Sequence, residues 1–220
     1  MFVLGLSGAT KVISIGLVDE NKLLVETTVA DSHSEKIMFY VKEAGIEPSQ
    51  IEGVAVAAGP GSYAGLRGSL AAAKSIAQAL NVPLTGVSTL EAIAFNLMEV
   101  EGTIMVVLDA RADEYNVALF GSDHDKLKRL TDDLVMKLDR LTALLGKIEG
   151  EIFLTGNLQG VRGMGYGVNV HFAEDIHSHP LGVNVARLGL SKIKAGQADD
   201  PLKLTPQYSH QPNIREFGSH

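Results

Sequence analysis

Five apolar residues, Val54-Ala55-Val56-Ala57-Ala58, run straight into Gly59-Pro60-Gly61-Ser62-Tyr63-Ala64-Gly65-Leu66-Arg67, and an Ala-rich segment from Leu70 to Leu80 follows. The apolar run reads as a buried strand and the Ala-rich segment as a helix, so strand, glycine turn and helix must succeed one another. Such a junction points backbone N–H groups outward at a helix start, where an anion is welcome. Gly59, Gly61, Ser62, Gly65 and Arg67 are the weak candidates for an anion loop. The spacing is not the P-loop pattern, because no Lys-Ser/Thr closes it, and it is not Gly-x-Gly-x-x-Gly. A tight turn with close backbone packing explains the same glycines, and the residues by themselves favour it.

The opening of the chain reads as an antiparallel meander: Phe2 to Leu6, Val12 to Val18 and Leu23 to Ala30, with Asp19-Glu20-Asn21 as turn chemistry. Ser32 with Glu35 is a capping-box pattern for a helix to about Ala44, on which Ile37, Tyr40, Val41 and Ala44 share a face. Ser88 with Glu91 is a second such box, opening a helix to about Met98. A new unit begins near Thr103. There the chain repeats itself: Leu6-Ser7 followed by Ile13 to Val18 aligns, at one constant offset, with Leu108-Asp109 followed by Tyr115 to Phe120. Two strand–turn–strand hairpins at one spacing suggest a duplicated domain, although all half-buried strands alternate and resemble one another. The rest predicts a helix from about Asp132 to Gly146, a strand Ile152 to Leu154, a glycine-rich passage from Gly156 to Gly167, and a last helix near Val183 to Lys194.

With 220 residues, 45% of them hydrophobic, the chain can build a proper core as one large domain or two small ones. It has no cysteine, which excludes disulfides, iron–sulfur clusters and thiol catalysis and is compatible with a reducing compartment. No apolar run approaches the ~20 residues needed to span a bilayer, and no basic stretch precedes an apolar one at the start, so the expected location is the cytoplasm. Lys and Arg number 19 against 26 Asp and Glu, a net charge of −7, which provides no general field for gripping RNA. Lys126, Lys128 and Arg129 make a small basic cluster whose usual explanation is a solvated face. Phe217 to His220 have the look of an expression scar, and residues 209–220 are set aside as a tail.

The segment Gly59 to Arg67 closely resembles the GPGS(F/Y)-x-G-(L/V)-R signature of the TsaB (YeaZ) family. His33-Ser34-Glu35 upstream, Val82 to Ala92 downstream and Val107-Leu108-Asp109-Ala110-Arg111 extend the likeness over roughly the first 120 residues. The resemblance implies an α/β, actin-like (ASKHA, ribonuclease H-like) duplicated fold of two mixed-sheet domains, the second trimmed. The boundaries that follow are 1–100 for the first domain, which carries the glycine loop and interface helices, and 101–208 for the second. It also implies a role as the non-catalytic partner in bacterial tRNA threonylcarbamoyladenosine synthesis.

Against that fold, the chemistry is sparse. Active actin-like phosphotransferases place an Asp in the first hairpin to position a nucleotide-bound metal, and carboxylate oxygen is what Mg²⁺ wants. Here that position is Ser7, whereas Asp109 stands at its counterpart in the second half. The catalytic relatives of the TsaD family hold a metal with two histidines four residues apart on one helix; here His33 is followed at that spacing by Ile37. His171, His177 and His179 form the one histidine cluster, short of the four converging ligands a structural site needs. Ser62 is not in the Gly-x-Ser-x-Gly elbow of a nucleophile. Asp109, Arg111, Asp113 and Glu114 read as a charged hairpin tip. No catalytic residue, metal or cofactor is therefore expected.

What remains is binding. Ala71, Ala72, Ala73, Ala77 and Ala79 with Ser69 and Ser75 make a small-residue surface that lets another helix approach to ~8–10 Å. Ile37-Met38-Phe39-Tyr40-Val41 is apolar around more than one face, so some of it points outward or is sandwiched within the fold. TsaB relatives pair these helices with those of TsaD, and the resemblance accordingly implies His33, Ser34, Glu35, Met38, Phe39, Ser69, Ala72, Ala73 and Ile76 as partner interface. The implied partners are a TsaD-type catalytic subunit, a TsaE-type ATPase, tRNA indirectly, and a second copy when the chain is alone, with no membrane. The rival functions are an active actin-like ATPase or kinase and a metal-dependent glycoprotease-like peptidase.

Overall fold

The computed structural model describes residues 1–209 apart from 31–32, 34–35, 112, 125, 164–166 and 168. The first half opens with β1 (Val3–Ser7), β2 (Ile13–Val18) and β3 (Leu23–Val29), paired antiparallel as a meander. The helix α1 (Ile37–Glu43), β4 (Gly53–Gly59), α2 (Tyr63–Leu80) and β5 (Leu84–Ser88) follow. β4 lies parallel to β1, and β5 parallel to β4. Then come α3 (Thr89–Ala94), β6 (Glu101–Asp109), β7 (Glu114–Asp123), β8 (Leu127–Arg129), β9 (Leu134–Lys137), α4 (Leu138–Leu145), β10 (Ile152–Gly156), β11 (Val170–Phe172) and α5 (Gly182–Lys194).

The two sheets have the same plan. The first runs β3-β2-β1-β4-β5. The second runs β11-β10-β6-β7-β8, with β9 also pairing β7. In each, a central hairpin pairs antiparallel and a later strand adds in parallel beside its first arm. The hairpin registers differ by one residue: Ser7 sits opposite Ser14, whereas Asp109 sits opposite Tyr115 rather than Asn116, the residue the repeat aligns with Ser14, so the second turn is one residue shorter. The repeat read from the sequence is thus a real structural duplication, and the fold is the mixed α/β architecture expected.

β1, β2 and β4 are buried along their whole length because helices cover both faces of the first sheet. That is why they read as unbroken apolar runs, while the edge strand β3 is largely exposed. On one face, Ile37 and Val41 of α1 and Leu70, Ala73, Ile76 and Ala77 of α2 pack with Leu4, Leu6, Ile15 and Val56. On the other, Val183, Val185, Ala186 and Leu190 of α5 pack with Val3, Ala55 and Ala57. The last helix therefore completes the first sheet, although chain order places it with residues 101–208. Conversely Leu90, Ile93 and Ala94 of α3 join Ile104, Val106 and Phe120 of the second sheet. α5 comes unusually near the sheet: a Cβ on Gly16 would stand 2.2 Å from the Val183 nitrogen. Its first turn is held by side chains, with Gly182 N–H donating to Ser14 Oγ at 2.8 Å and Val183 N–H to Glu26 Oε2 at 2.7 Å.

Several boundaries differ from the sequence reading, each for a local reason. α2 begins at Tyr63 rather than Leu70, because Ser62 caps it by accepting from Gly65 N–H at 3.3 Å. It ends at Asn81, which adopts φ 53° just before Pro83. α3 stops at Ala94 and passes into a 3₁₀ turn over Phe95–Leu97. The helix expected from Asp132 is shorter: residues 134–137 pair with β7 as β9, and only Leu138–Leu145 is helical. α1 starts at Ile37, and the Ser32/Glu35 capping box lies outside the described residues.

Candidate functional site

The tips of the two equivalent hairpins face a cleft of about 1220 Å³ between the halves. Ala9, Thr10 and Lys11 line it from the first hairpin turn, and Asp109, Ala110 and Arg111 from the second. Gly61 to Tyr63, Asn157 to Gln159, Arg162, Asp175, His179, Tyr208 and Ser209 complete the walls. Ser7 is fully buried, and its hydroxyl accepts from Ala9 N–H at 3.4 Å. Asp109 is exposed at the cleft, where its carboxylate accepts from the Asn157 side-chain amide. Of the two equivalent hairpin positions only the second carries a carboxylate, Asp109, while Asp175 stands on another wall of the cleft. Around Asp109, the Ala110 N–H donates to Glu114 O and Asp113 adopts φ 59°, which makes the charged stretch a tight hairpin tip.

The glycine loop is shorter than its sequence suggests, because Tyr63 to Arg67 belong to α2. Its glycines serve close contacts. A Cβ on Gly65 would lie 1.8 Å from Gly8 O, and one on Gly61 2.4 Å from Ala9 O. Ser62 N–H donates to Ala9 O at 2.8 Å, so the loop is buttoned to the first hairpin turn. Arg67 points elsewhere: its Nε donates to the Tyr208 hydroxyl at 3.0 Å, and its guanidinium lies 4.2 Å from the Tyr63 ring centre. Tight turn packing accounts for Gly61, Ser62 and Gly65, and an aromatic clasp for Arg67.

The histidines do not converge. His171 sits on β11, pairs with Glu151 and stacks on Phe153. His177 offers its carbonyl to Asn96 and Thr155. His179 lies in the cleft wall with Nδ1 3.3 Å from Thr10 Oγ1, and burial pushes its imidazole below the ordinary value against the opposing charge of Asp175. Among the described residues no three His, Cys, Asp or Glu come together as a metal cluster. The basic cluster is partly structural as well: Arg129 lies over Phe120, bonds Ser88 and pairs with Asp133 at 2.7 Å.

The second surface of interest is the outer side of α1 and α2. Met38 is 50% exposed and Phe39 57%, adjoining the half-buried Tyr40. His33 is exposed beside them, whereas Ser34 and Glu35 lie outside the described residues. Ser69, Ala73 and Ile76 turn inward and are buried against the chain's own sheet, so they cannot meet a partner as folded. Ala72 is half-buried at the margin. The outward stripe is instead Ala64, Ala71, Ser75, Gln78 and Ala79, spaced at helical intervals. The composition of α2 disclosed a small-residue surface; only its phase was misjudged, since the helix has small residues on both faces. Tyr208, Ser209 and Asn157 were missed because no local pattern marks them.

Comparison with known proteins matches this picture. The family profile described as "TsaD: tRNA N6-adenosine threonylcarbamoyltransferase" matches residues 24–216. The tRNA threonylcarbamoyladenosine biosynthesis protein TsaB of Bacillus subtilis (strain 168) is 30% identical over 161 residues, 70% of each chain. A tRNA N6-adenosine threonylcarbamoyltransferase of Rhodopseudomonas palustris (strain BisB5) is 31% identical over 76% of this chain, which spans 45% of that protein. The solved structure of YeaZ from Pseudomonas aeruginosa superposes with a TM-score of 0.78 at 20% identity, covering 94% of this chain and 99% of that one. With the family profile matching most of the chain and the Bacillus subtilis relative 30% identical over 70% of it, the chain belongs to the TsaB (YeaZ) group within the TsaD-type family of tRNA threonylcarbamoyladenosine biosynthesis proteins.

Proposed function

We propose that this chain is a non-catalytic accessory subunit required for threonylcarbamoyl transfer to the adenosine next to the tRNA anticodon. It acts by docking a TsaD-type catalytic subunit through the outer side of α1 and α2. The observation that carries this reading is the exposed pair Met38 and Phe39 beside a stripe of small residues. Two large apolar side chains give a partner something to bury, at ~25 cal/mol per Å² of apolar surface. The small residues let a second helix pair approach at normal packing distance. A buried hydroxyl at Ser7, where an active actin-like enzyme carries a metal-positioning acid, supports an accessory rather than a catalytic part. The net charge of −7 supports tRNA being gripped through the complex rather than by this chain. A TsaE-type ATPase joins the assembly, the working compartment is the cytoplasm, and without its partner the chain pairs with a second copy through the same surface.

The test is co-purification with the pathway's catalytic subunit, followed by a tRNA modification assay with and without this chain. The expected result is strong dependence of modification on the chain, lost in Phe39→Asp with the fold intact by circular dichroism. A modification level unchanged when the chain is omitted overturns the role. Tight magnesium-dependent ATP binding by the chain alone would favour the ATPase reading instead.

A further inference from the structure

The last described residues do something that neither the family likeness nor the docking face explains. After α5 the chain turns back along the first sheet. Asp199 N–H donates to Leu84 O at 2.8 Å, and the Asp199 carboxylate accepts from Gly86 N–H at 2.8 Å and Thr85 Oγ1 at 3.1 Å. Leu204 packs into the core over Gly86. Gln207 N–H then donates to Ala58 O at 2.7 Å, at the end of β4. Gly59 is shaped for this passage: it holds φ 134°, and a Cβ there would stand 2.1 Å from Gln207 O. Tyr208 stacks on Tyr63 with ring centres 5.0 Å apart and accepts from Arg67 Nε. One residue later the segment reaches the other half. The Ser209 hydroxyl donates to Asn116 Oδ1, and the amide of the same Asn116 donates to Asp109 O at 3.3 Å, at the hairpin tip.

We propose that residues 199–209 are a strap across the mouth of the cleft that limits how far the two halves open. Its fixed end is the backbone ladder at Leu84 and Ala58, both in the first sheet. Its free end is the pair Tyr208 and Ser209, which line the cleft and join the α2 start to β7. The free end is held by the Tyr63 ring stack, the guanidinium–hydroxyl bond, apolar packing of the half-buried Tyr208 against the first sheet's core, and the Ser209 hydroxyl bond to the buried Asn116. These contacts are few beside those that hold either half together, so the strap can release without unfolding them. Release would uncouple Asn116, and with it the Asp109 hairpin, from the loop that starts α2.

The test uses the absence of native cysteine, which makes paired spin labelling specific. Lys22→Cys and Lys147→Cys, both on exposed positions, put one label on each half, and excess unlabelled chain restricts the reading to distances within one molecule. The starting chain is expected to give a single narrow distance distribution. Tyr208→Ala with Ser209→Ala is expected to broaden it and shift it, while Tyr208→Phe, which keeps the ring stack, stays near the starting chain. Hydrogen exchange at the Gln207 amide reports whether the strap has left Ala58. Should the double variant unfold, Gln207→Pro removes that amide donor and takes its place. A strap released by hydrogen exchange with an unmoved distance distribution overturns the proposal.

Discussion

Glu26 offers the sharpest test of how the last helix is held to the first sheet. Its Oε2 accepts from Val183 N–H, and its Oε1 from the hydroxyls of Ser14 and Thr28. The side chain thus caps α5 from a strand rather than from the helix's own sequence. Removing it by Glu26→Ala loses a cap worth ~0.5–2 kcal/mol. Donors left unmet in a partly buried site cost ~1–3 kcal/mol by themselves. These losses overlap, because the Val183 donor is counted in both, so ~2 kcal/mol is the net expectation. In a chain of this size each kcal/mol moves the midpoint by ~2–4 °C, so thermal unfolding should fall by ~4–8 °C. The pH dependence adds a second reading. Burial raises the Glu26 carboxyl above its ordinary 4.5, overcoming the hydrogen bonds from Ser14 and Val183 that act the other way. The folded chain therefore holds this proton more tightly than the unfolded chain does. The group's contribution is fully present below 4.5 and is lost as pH rises through the raised folded value. Glu26→Gln keeps an acceptor for Val183 and cannot titrate, so its midpoint relative to the starting chain should improve as pH climbs through that window. Midpoints measured by differential scanning calorimetry across mildly acidic to neutral pH decide it. A difference that stays flat, or that runs the opposite way, refutes the account of Glu26 as a buried, proton-holding cap.

Three further outcomes follow from the packing. Ile37→Ala, at a fully buried position of α1, should cost ~2–5 kcal/mol in urea unfolding, whereas Phe39→Ala two residues on should stay within ~0.5 kcal/mol. Equal losses would mean that α1 is rotated from its described face. Gly65→Ala places a carbon against Gly8 O and should destabilise by ~1–3 kcal/mol, whereas Ala64→Gly at the exposed neighbouring position should cost no more than ~1 kcal/mol. His179 has its imidazole pushed down by burial, so its stabilising contribution is present above the ordinary 6.5 and is lost as pH falls through the lowered folded value. His179→Gln should flatten that part of the acid unfolding curve, and an unchanged slope would count against the burial of this ring.

What the sequence disclosed follows the range of the interactions involved. The paired hairpins were legible because Ile13 to Val18 and Tyr115 to Phe120 repeat one local pattern and each pairs antiparallel with the strand before it; the one-residue difference in register was not, since it is set by the turn. The start of α2 was half legible: Ser62 is a good cap residue, but Gly65 and Gly68 obscured the fact that the helix already runs through them. β9 was missed because Leu134 to Lys137 gain their strand partner on β7, which local propensity does not report. On α1, spacing correctly assigned Ile37 and Val41 inward. On α2 the same reasoning failed, since Ala, Ser and Gly surround the helix and carry no phase. Ser7 and Asp109 were found as counterparts from the repeat alone, yet their difference in exposure belongs to the folded cleft. The clasp at Tyr208 rests on contacts across 141 residues, beyond any local signal.

The exchange of helices between the sheets has a consequence for how this molecule can be divided. α5 comes last and covers the strands that come first, while α3, formed early, roofs strands that follow it. The halves are laced together like two shoes sharing one cord. A fragment cut at residue 100 would leave Val3, Ala55 and Ala57 without their cover, and its complement would carry α5 with no floor to lie on. Dividing the chain there uncovers an apolar sheet face in both pieces at once.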